Sequence, residues 1–213
     1  MAGGQHLPFF IIMSYNDKYK QDGLYWGSEP TKTCRLLVEK IPFQKDCRLK
    51  VLDIGTGEGR DALYLAALGF DVTAFDLSPV GIEKLAKIAE AKNLTVESFV
   101  ADIKDFRCDN KFDICLSSGT LHYLSPEIRA ERIEYFKTLV DIDGYHVFSV
   151  FVEKPFVPPA PDAEKNTFLF KSGELMSYYH DWEIIHTAEE IFNCNSGGTP
   201  HQHATNRVVA RKK

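Results

Sequence analysis

Several things are missing from this 213-residue chain, and each absence narrows what it can do. There is no block of Lys or Arg: the net charge is −5, and Arg211-Lys212-Lys213 make only a short basic tail. Duplex binding needs a basic face, so nucleic acid is not expected as the main partner. There is no C-x-x-C pair among the five cysteines, Cys34, Cys47, Cys108, Cys115 and Cys194. An odd, scattered set suggests reduced thiols and a cytoplasmic protein. There is no internal repeat and no low-complexity tract. The apolar run Leu7-Pro8-Phe9-Phe10-Ile11-Ile12-Met13 is too short to span a bilayer and lacks a basic n-region and a small-residue cleavage site. Residues 1–14 therefore read as a loose arm or as upstream translated sequence, with Met13 an alternative start, and no membrane is expected. The length suits one domain, 1–213.

What is present is an alternation of strands and helices. Apolar runs predict strands over 49–54, 71–76, 96–101, 112–117 and 145–152. Helices are expected over 31–42, burying Leu36, Leu37 and Ile41, and from Arg60 to Leu68, ended by Gly69. Ser78-Pro79 supplies an N-cap and a first-turn proline for a helix carrying Ile82, Leu85 and Ile88. Ser125-Pro126 repeats the device before Ile128, Ile133, Phe136 and Val140. Such alternation means an α/β fold with a mostly parallel sheet. Beyond it, Pro155, Pro158, Pro159 and Pro161 make a stiff loop that cannot join a sheet. A short helix from Ser172 to about His180 follows, and 182–192 and 205–210 read as closing strands.

The chemistry concentrates in Val51-Leu52-Asp53-Ile54-Gly55-Thr56-Gly57-Glu58-Gly59-Arg60. This is strand, glycine turn and helix start, with Asp76 at the tip of the next strand, 21 residues after Gly55. Gly55 and Gly57 allow a sharp turn and close approach of a ligand. The helix start aims unpaired N–H groups at the same space, and Asp76 stands where a carboxylate accepts ribose hydroxyls. Gly55, Asp76, Asp102 and Ser117 all fall at carboxyl ends of strands and so converge on one crevice. The dinucleotide fingerprint G-x-G-x-x-G is broken, because Arg60 holds the third glycine's place.

D-x-G-x-G-x-G resembles the first motif of the class I S-adenosylmethionine-dependent methyltransferases. Ser98-Phe99-Val100-Ala101-Asp102-Ile103 ends a third strand with an acid, as that family does where it meets adenine. Phe112-Asp113-Ile114 with Leu121-His122-Tyr123-Leu124 is similar to its "FDxV…xLHYL" segment, and Asp141-Ile142-Asp143-Gly144 to its turn before the fifth strand. Phe168 to Glu183, with Gly173-Glu174-Leu175, Tyr178-Tyr179 and Trp182-Glu183, resembles the tellurite-resistance branch of that family. The resemblance implies a Rossmann-like, seven-stranded, mostly parallel sheet with a C-terminal antiparallel hairpin and helices on both faces. It also implies S-adenosylmethionine as cofactor, a small-molecule acceptor (thiol, metalloid oxyanion, or oxygen or nitrogen nucleophile) and a monomer or homodimer. Residues 15–45 would form an N-terminal helical cap, and 153–168 a loop near the substrate. Where the tellurite branch carries a His-Arg pair in the last hairpin, this chain has Phe192-Asn193, which counts against tellurite or selenite as acceptor.

On this reading the cofactor meets Tyr25, Trp26, Asp53, Gly55, Thr56, Gly57, Arg60, Asp76, Leu77, Asp102, Ile103 and Ser117. Tyr25 and Trp26 either cover the sulfonium or pack a cap. Arg60 either grips the cofactor carboxylate or pairs with Asp53 or Glu58. Asp53 orients the glycine loop. His122 is a candidate base, since histidine titrates near neutrality, or packs on the cofactor. His201 and His203 form an H-x-H pair in the hairpin turn: exposed, at the substrate mouth, or metal-binding. No third ligand stands near them in sequence, so no metal is expected. The rival readings are a nicotinamide-dependent oxidoreductase and a non-catalytic cofactor-binding protein.

Overall fold

The computed structural model describes residues 15–43, 48–160, 167–195 and 199–213. The arm 1–14, Cys47, Pro161 and Gly197-Gly198 lie outside the described residues. Seven strands form one sheet: β1 (Lys50–Ile54), β2 (Asp71–Asp76), β3 (Val96–Val100), β4 (Phe112–Ser118), β5 (Val140–Val152), β6 (Glu183–Cys194) and β7 (His201–Arg211). Their spatial order is β3-β2-β1-β4-β5-β7-β6. The first five pair in parallel, and β7 lies antiparallel between β5 and β6. The expected Rossmann-like sheet with an antiparallel hairpin is what forms.

Helices cover both faces because the buried strands are apolar on both. Along β4, Ile114 and Leu116 point to one core and Cys115 to the other. The first core is closed by α1 (Lys32–Lys40), α2 (Arg60–Ala67) and α3 (Pro79–Ala91), through Leu37, Leu65 and Leu85. The second is closed by α4 (Pro126–Thr138) and the turn after the short α5 (Glu174–Ser177), through Phe136, Tyr179 and Trp182. Among the described residues no helix is long and apolar enough to cross a membrane.

Caps form where the sequence places them at α3, where Ser78 Oγ accepts from Gly81 N at 3.1 Å and Pro79 opens the helix. Gly69, at φ 95°, stands just past α2. Four expectations need correction. Ser125 makes no capping bond to α4; its hydroxyl bonds Glu127 instead. Val140 belongs to β5, not to α4. The 141–144 segment is a bulge within β5, since Phe112 faces Val140 while Ile114 faces Tyr145. Asp143 sits there at φ 68° and its N–H donates to Lys212 O at 3.0 Å. The closing strands are longer than expected, so His201 and His203 lie on β7 rather than in a turn.

Candidate active site

β1 lies between β2 and β4, all parallel, and β2 and β4 connect onward in opposite directions. That is the switch point at which open α/β sheets bind ligands beyond their carboxyl ends. A crevice of about 110 Å³ opens there, lined by Gly55, Asp76, Leu77, Asp102, Ile103 and Thr120 among others. A wider cavity of about 860 Å³ adjoins it, lined by Tyr25, Trp26, Arg60, His122 and the 153–160 limb of the proline loop. Tyr15 and Tyr123 line both, and their hydroxyls are 2.5 Å apart.

Asp76 ties the crevice floor together. One carboxylate oxygen accepts from Gly57 N and the other from Ser78 N, both at 2.8 Å. A carboxylate offers about four acceptor sites, so these two bonds do not exhaust its capacity to accept from a ligand. Burial raises its pKa and these backbone donors oppose the rise. A ribose diol, a donor pair, suits that acceptor. Asp102 Oδ1 accepts from Lys104 N at 2.9 Å. The Ile103 carbonyl takes Arg132 Nε at 2.9 Å while its side chain packs in the second core.

The glycine loop is shaped by the protein itself. Gly55 sits at φ 73°, and a Cβ there would lie 2.3 Å from the Thr120 side chain. A Cβ on Gly57 would lie 2.9 Å from the Tyr19 hydroxyl. Room for a ligand is thus not what requires glycine at 55; Thr120 and the positive φ are. Asp53, fully buried, accepts from Thr56 Oγ1 at 2.6 Å and so fixes the turn. Burial, with the charge of Asp61 adding, pushes the Asp53 carboxyl up to about 7.

Ser117 does not line the crevice. Its side chain is buried and donates to Ile54 O at 3.3 Å, and the neighbouring Ser118 lines the crevice instead. Arg60 pairs with neither Asp53 nor Glu58: its Nη1 donates to the Trp26 carbonyl at 2.6 Å, and its side chain borders the wider cavity. Tyr25 and Trp26, edge to face at 4.8 Å, border that cavity and not the crevice.

His122 lies in a single 3-10 turn, Leu121–Tyr123, and is 2% exposed. Burial, then His203 and Arg129, push its pKa down to about 3. It is therefore neutral at neutral pH and a weak base, against the expectation of a group titrating near neutrality. Its Nδ1 has no hydrogen-bond partner among the described residues. Its ring packs on Phe151 at 4.9 Å, and His203 stacks on that phenylalanine at 4.7 Å and 18°. The H-x-H pair gains the third ligand type that sequence spacing does not show: β6–β7 register places Cys194 opposite His201.

Several buried charges that position the site give no sequence signal beyond their place next to the motifs. Glu58, 3% exposed, accepts from Tyr25 N at 2.7 Å and Lys84 Nζ at 2.6 Å, holding the cap over the crevice. Asp61 accepts from Thr31 N and Thr31 Oγ1 at 2.7 and 2.6 Å, docking the start of α1. Arg129, 1% exposed, ion-pairs with Glu174, donates to Phe168 O at 2.6 Å, and lies 3.7 Å over the Phe170 ring. It pins the returning limb of the proline loop.

Fold and crevice together have the architecture of a class I methyltransferase, with an acid-floored crevice that adjoins a second, wider cavity. A family model described as "Tellurite resistance protein TehB" matches residues 22–208, and the chain belongs to the TehB family. The "Probable S-adenosyl-L-methionine-dependent methyltransferase TehB" of Haemophilus influenzae is 31% identical over 168 residues, covering 77% of this chain and 57% of that protein. The chain thus spans little more than half the length of that curated relative. The crystal structure of TehB from Haemophilus influenzae superposes with a TM-score of 0.75 at 26% identity, over 95% of this chain and 67% of that one. A "2-heptyl-1-hydroxyquinolin-4(1H)-one methyltransferase" of Mycobacteroides abscessus is 37% identical over 150 residues, 70% of this chain and 65% of that protein.

Proposed function

We propose that this chain binds S-adenosylmethionine in the Asp76 crevice and passes its methyl group to a small molecule in the wider cavity. The observation that carries this reading is the meeting of the two compartments at Tyr15 and Tyr123, with Asp76 on the floor of the narrower one. The cofactor, when bound, supplies an electrophilic methyl on a sulfonium. Asp76 accepts the ribose hydroxyls beside Gly55, Gly57 and Leu77, and Asp102 and Ile103 bracket the adenine. Asp53 holds the loop through Thr56. Arg60 has five N–H donors, of which the Trp26 carbonyl occupies one, so it keeps donors for the cofactor carboxylate. Tyr25 and Trp26 wall the cavity, where an aromatic face favours a cation. Of the described residues, 15–43 act as a cap and 153–160 as a wall that excludes water.

The cavity's volume is within the range of about 300–1,000 Å³ usual for small-molecule sites. Burial makes His122 a weak base, so the acceptors that fit best are those already ionised or needing little help with deprotonation. A thiolate, a metalloid oxyanion or an acidic heteroaromatic hydroxyl fits that requirement; the relative named for a hydroxyquinolone supports including the last. Phe192-Asn193, in place of the His-Arg pair, weighs against tellurite and selenite. The chain's work is then to hold the acceptor atom about 3–3.5 Å from the methyl, in line with the bond that breaks. The test is release of S-adenosylhomocysteine on incubation with S-adenosylmethionine and a panel of thiols, metalloid oxyanions and hydroxyheteroaromatics. Acceptor-dependent release supports the reading. Cofactor binding without release from any acceptor leaves the non-catalytic rival.

A further inference from the structure

The end of the β6–β7 hairpin carries a cluster outside the cofactor crevice. Cys194 Sγ and imidazole nitrogens of His201 and His203 all lie within 4.8 Å of one another. The two Nε2 atoms are 2.9 Å apart. His201 Nδ1 lies 2.7 Å from the Thr199 carbonyl, an oxygen that only accepts, so the Nδ1 carries the proton and the Nε2 presents its lone pair to the His203 Nε2–H, whose proton passes to its own Nδ1 when a metal takes that place. That arrangement, a backbone carbonyl fixing the tautomer of an imidazole whose other nitrogen points at a second ligand, is the usual support of a metal-binding histidine. His203 is held by stacking on Phe151. Antiparallel register puts Cys194 directly across from His201, and His203 falls on the same face as His201, two residues along.

We propose that Cys194, His201 and His203 form a binding site for a thiophilic metal ion of the Zn²⁺ type. Imidazole nitrogen and thiolate sulfur are both ligand types that zinc takes, and three protein ligands leave a fourth, open position. Zn–N bonds of about 2.0–2.1 Å and Zn–S of about 2.3 Å require tetrahedral ligand separations of roughly 3.3–3.7 Å. The observed separations reach that by side-chain shifts of order 1 Å. Cys194 and His203 line the wider cavity, so the site borders the space where an acceptor would sit. A thiol acceptor would bind there as the thiolate, its proton leaving to solvent. That last step rests on the methyl-transfer reading, whereas zinc binding is measured without it.

The test is titration of the metal-free, reduced full chain with Zn²⁺ and with Co²⁺ as a spectroscopic probe, Mg²⁺ serving as control. One equivalent of Zn²⁺ should bind, and Co²⁺ should give a thiolate-to-metal charge-transfer band with the intense visible bands of tetrahedral coordination. Cys194→Ser should abolish the charge-transfer band, and His201→Ala and His203→Ala should each weaken binding at least about tenfold. Should these variants fold poorly, alkylation of the wild-type chain followed by peptide mapping gives the answer. Zn²⁺ should protect Cys194 and leave the labelling of Cys108 unchanged. Absence of zinc binding, zinc binding unaltered in the Cys194→Ser and His203→Ala variants, or alkylation of Cys194 indifferent to zinc would overturn the site. None of these results depends on cofactor binding or methyl transfer.

Discussion

The carboxylate of Asp76 accepts the backbone N–H of Gly57 at 2.8 Å, so the acid at the end of β2 and the glycine turn after β1 form one unit. Asp76→Ala would remove the ribose acceptor and also leave the Gly57 and Ser78 amides without their partner. Hydrogen bonds to charged groups contribute about 1.5–3 kcal/mol each. Affinity for S-adenosylhomocysteine should therefore fall by at least tenfold, read by calorimetry. Unchanged affinity would remove Asp76 from the cofactor site.

Gly55 is constrained by Thr120. Gly55→Ala meets both the Thr120 side chain and a left-handed backbone, a strain of about 1–2 kcal/mol from the backbone alone. Adding Thr120→Ala should relieve the contact but not the backbone strain. Urea unfolding of the two single variants and the double variant should show a coupling energy of about 1 kcal/mol or more. Strict additivity would show that the contact does not matter.

Arg129 holds the returning limb of the proline loop. Arg129→Met should destabilise the chain by roughly 3 kcal/mol, the low end of breaking a buried pair because Glu174 keeps some contact with solvent. The loop should also become more open to limited proteolysis between residues 153 and 168. Equal stability together with an equal cleavage rate would count against the pin.

His122 and His146 are both buried, and burial pushes each pKa down to about 3. His146 is neutral with both nitrogens bonded, to the Tyr179 hydroxyl at 2.9 Å and the Phe136 carbonyl at 3.1 Å. With folded pKa values below the unfolded value, the unfolded state binds more protons as pH falls below about 6.5. The stability these groups contribute is complete above that pH and declines between 6.5 and 3, by roughly 1–3 kcal/mol per pH unit for the pair. Urea denaturation at pH 7.5, 6 and 5 measures this, and a curve flat over that range would contradict it. The same neutrality predicts no break near pH 6.5 assignable to His122 in a pH–rate profile.

The strand-turn-helix around Asp53–Gly59 and the acid at position 76 are legible because the pattern is local: a few consecutive residues define turn and strand end. Ser117 against Ser118 is not legible in the same way. β4 is buried on both faces, so its apolar run carries no alternation to say which serine faces out. Cys194 and His201 meet only through the register of a hairpin, which depends on where the closing strands stop, and these run further than their apolar residues suggest. Glu58, Asp61 and Arg129 look like surface charges in sequence; only the docked cap and loop reveal them as buried anchors. The basicity of His122 follows from burial, which its place in an LHYL segment does not convey.

The central claim is that the Asp76 crevice holds S-adenosylmethionine rather than a nicotinamide cofactor. Calorimetric titration of the full chain with S-adenosylhomocysteine and, separately, with NADH tests it most directly. One equivalent of S-adenosylhomocysteine should bind with an affinity that Asp76→Ala weakens, and NADH should give no saturable heat. Saturable NADH binding with none for S-adenosylhomocysteine would contradict the account and leave the oxidoreductase reading in its place.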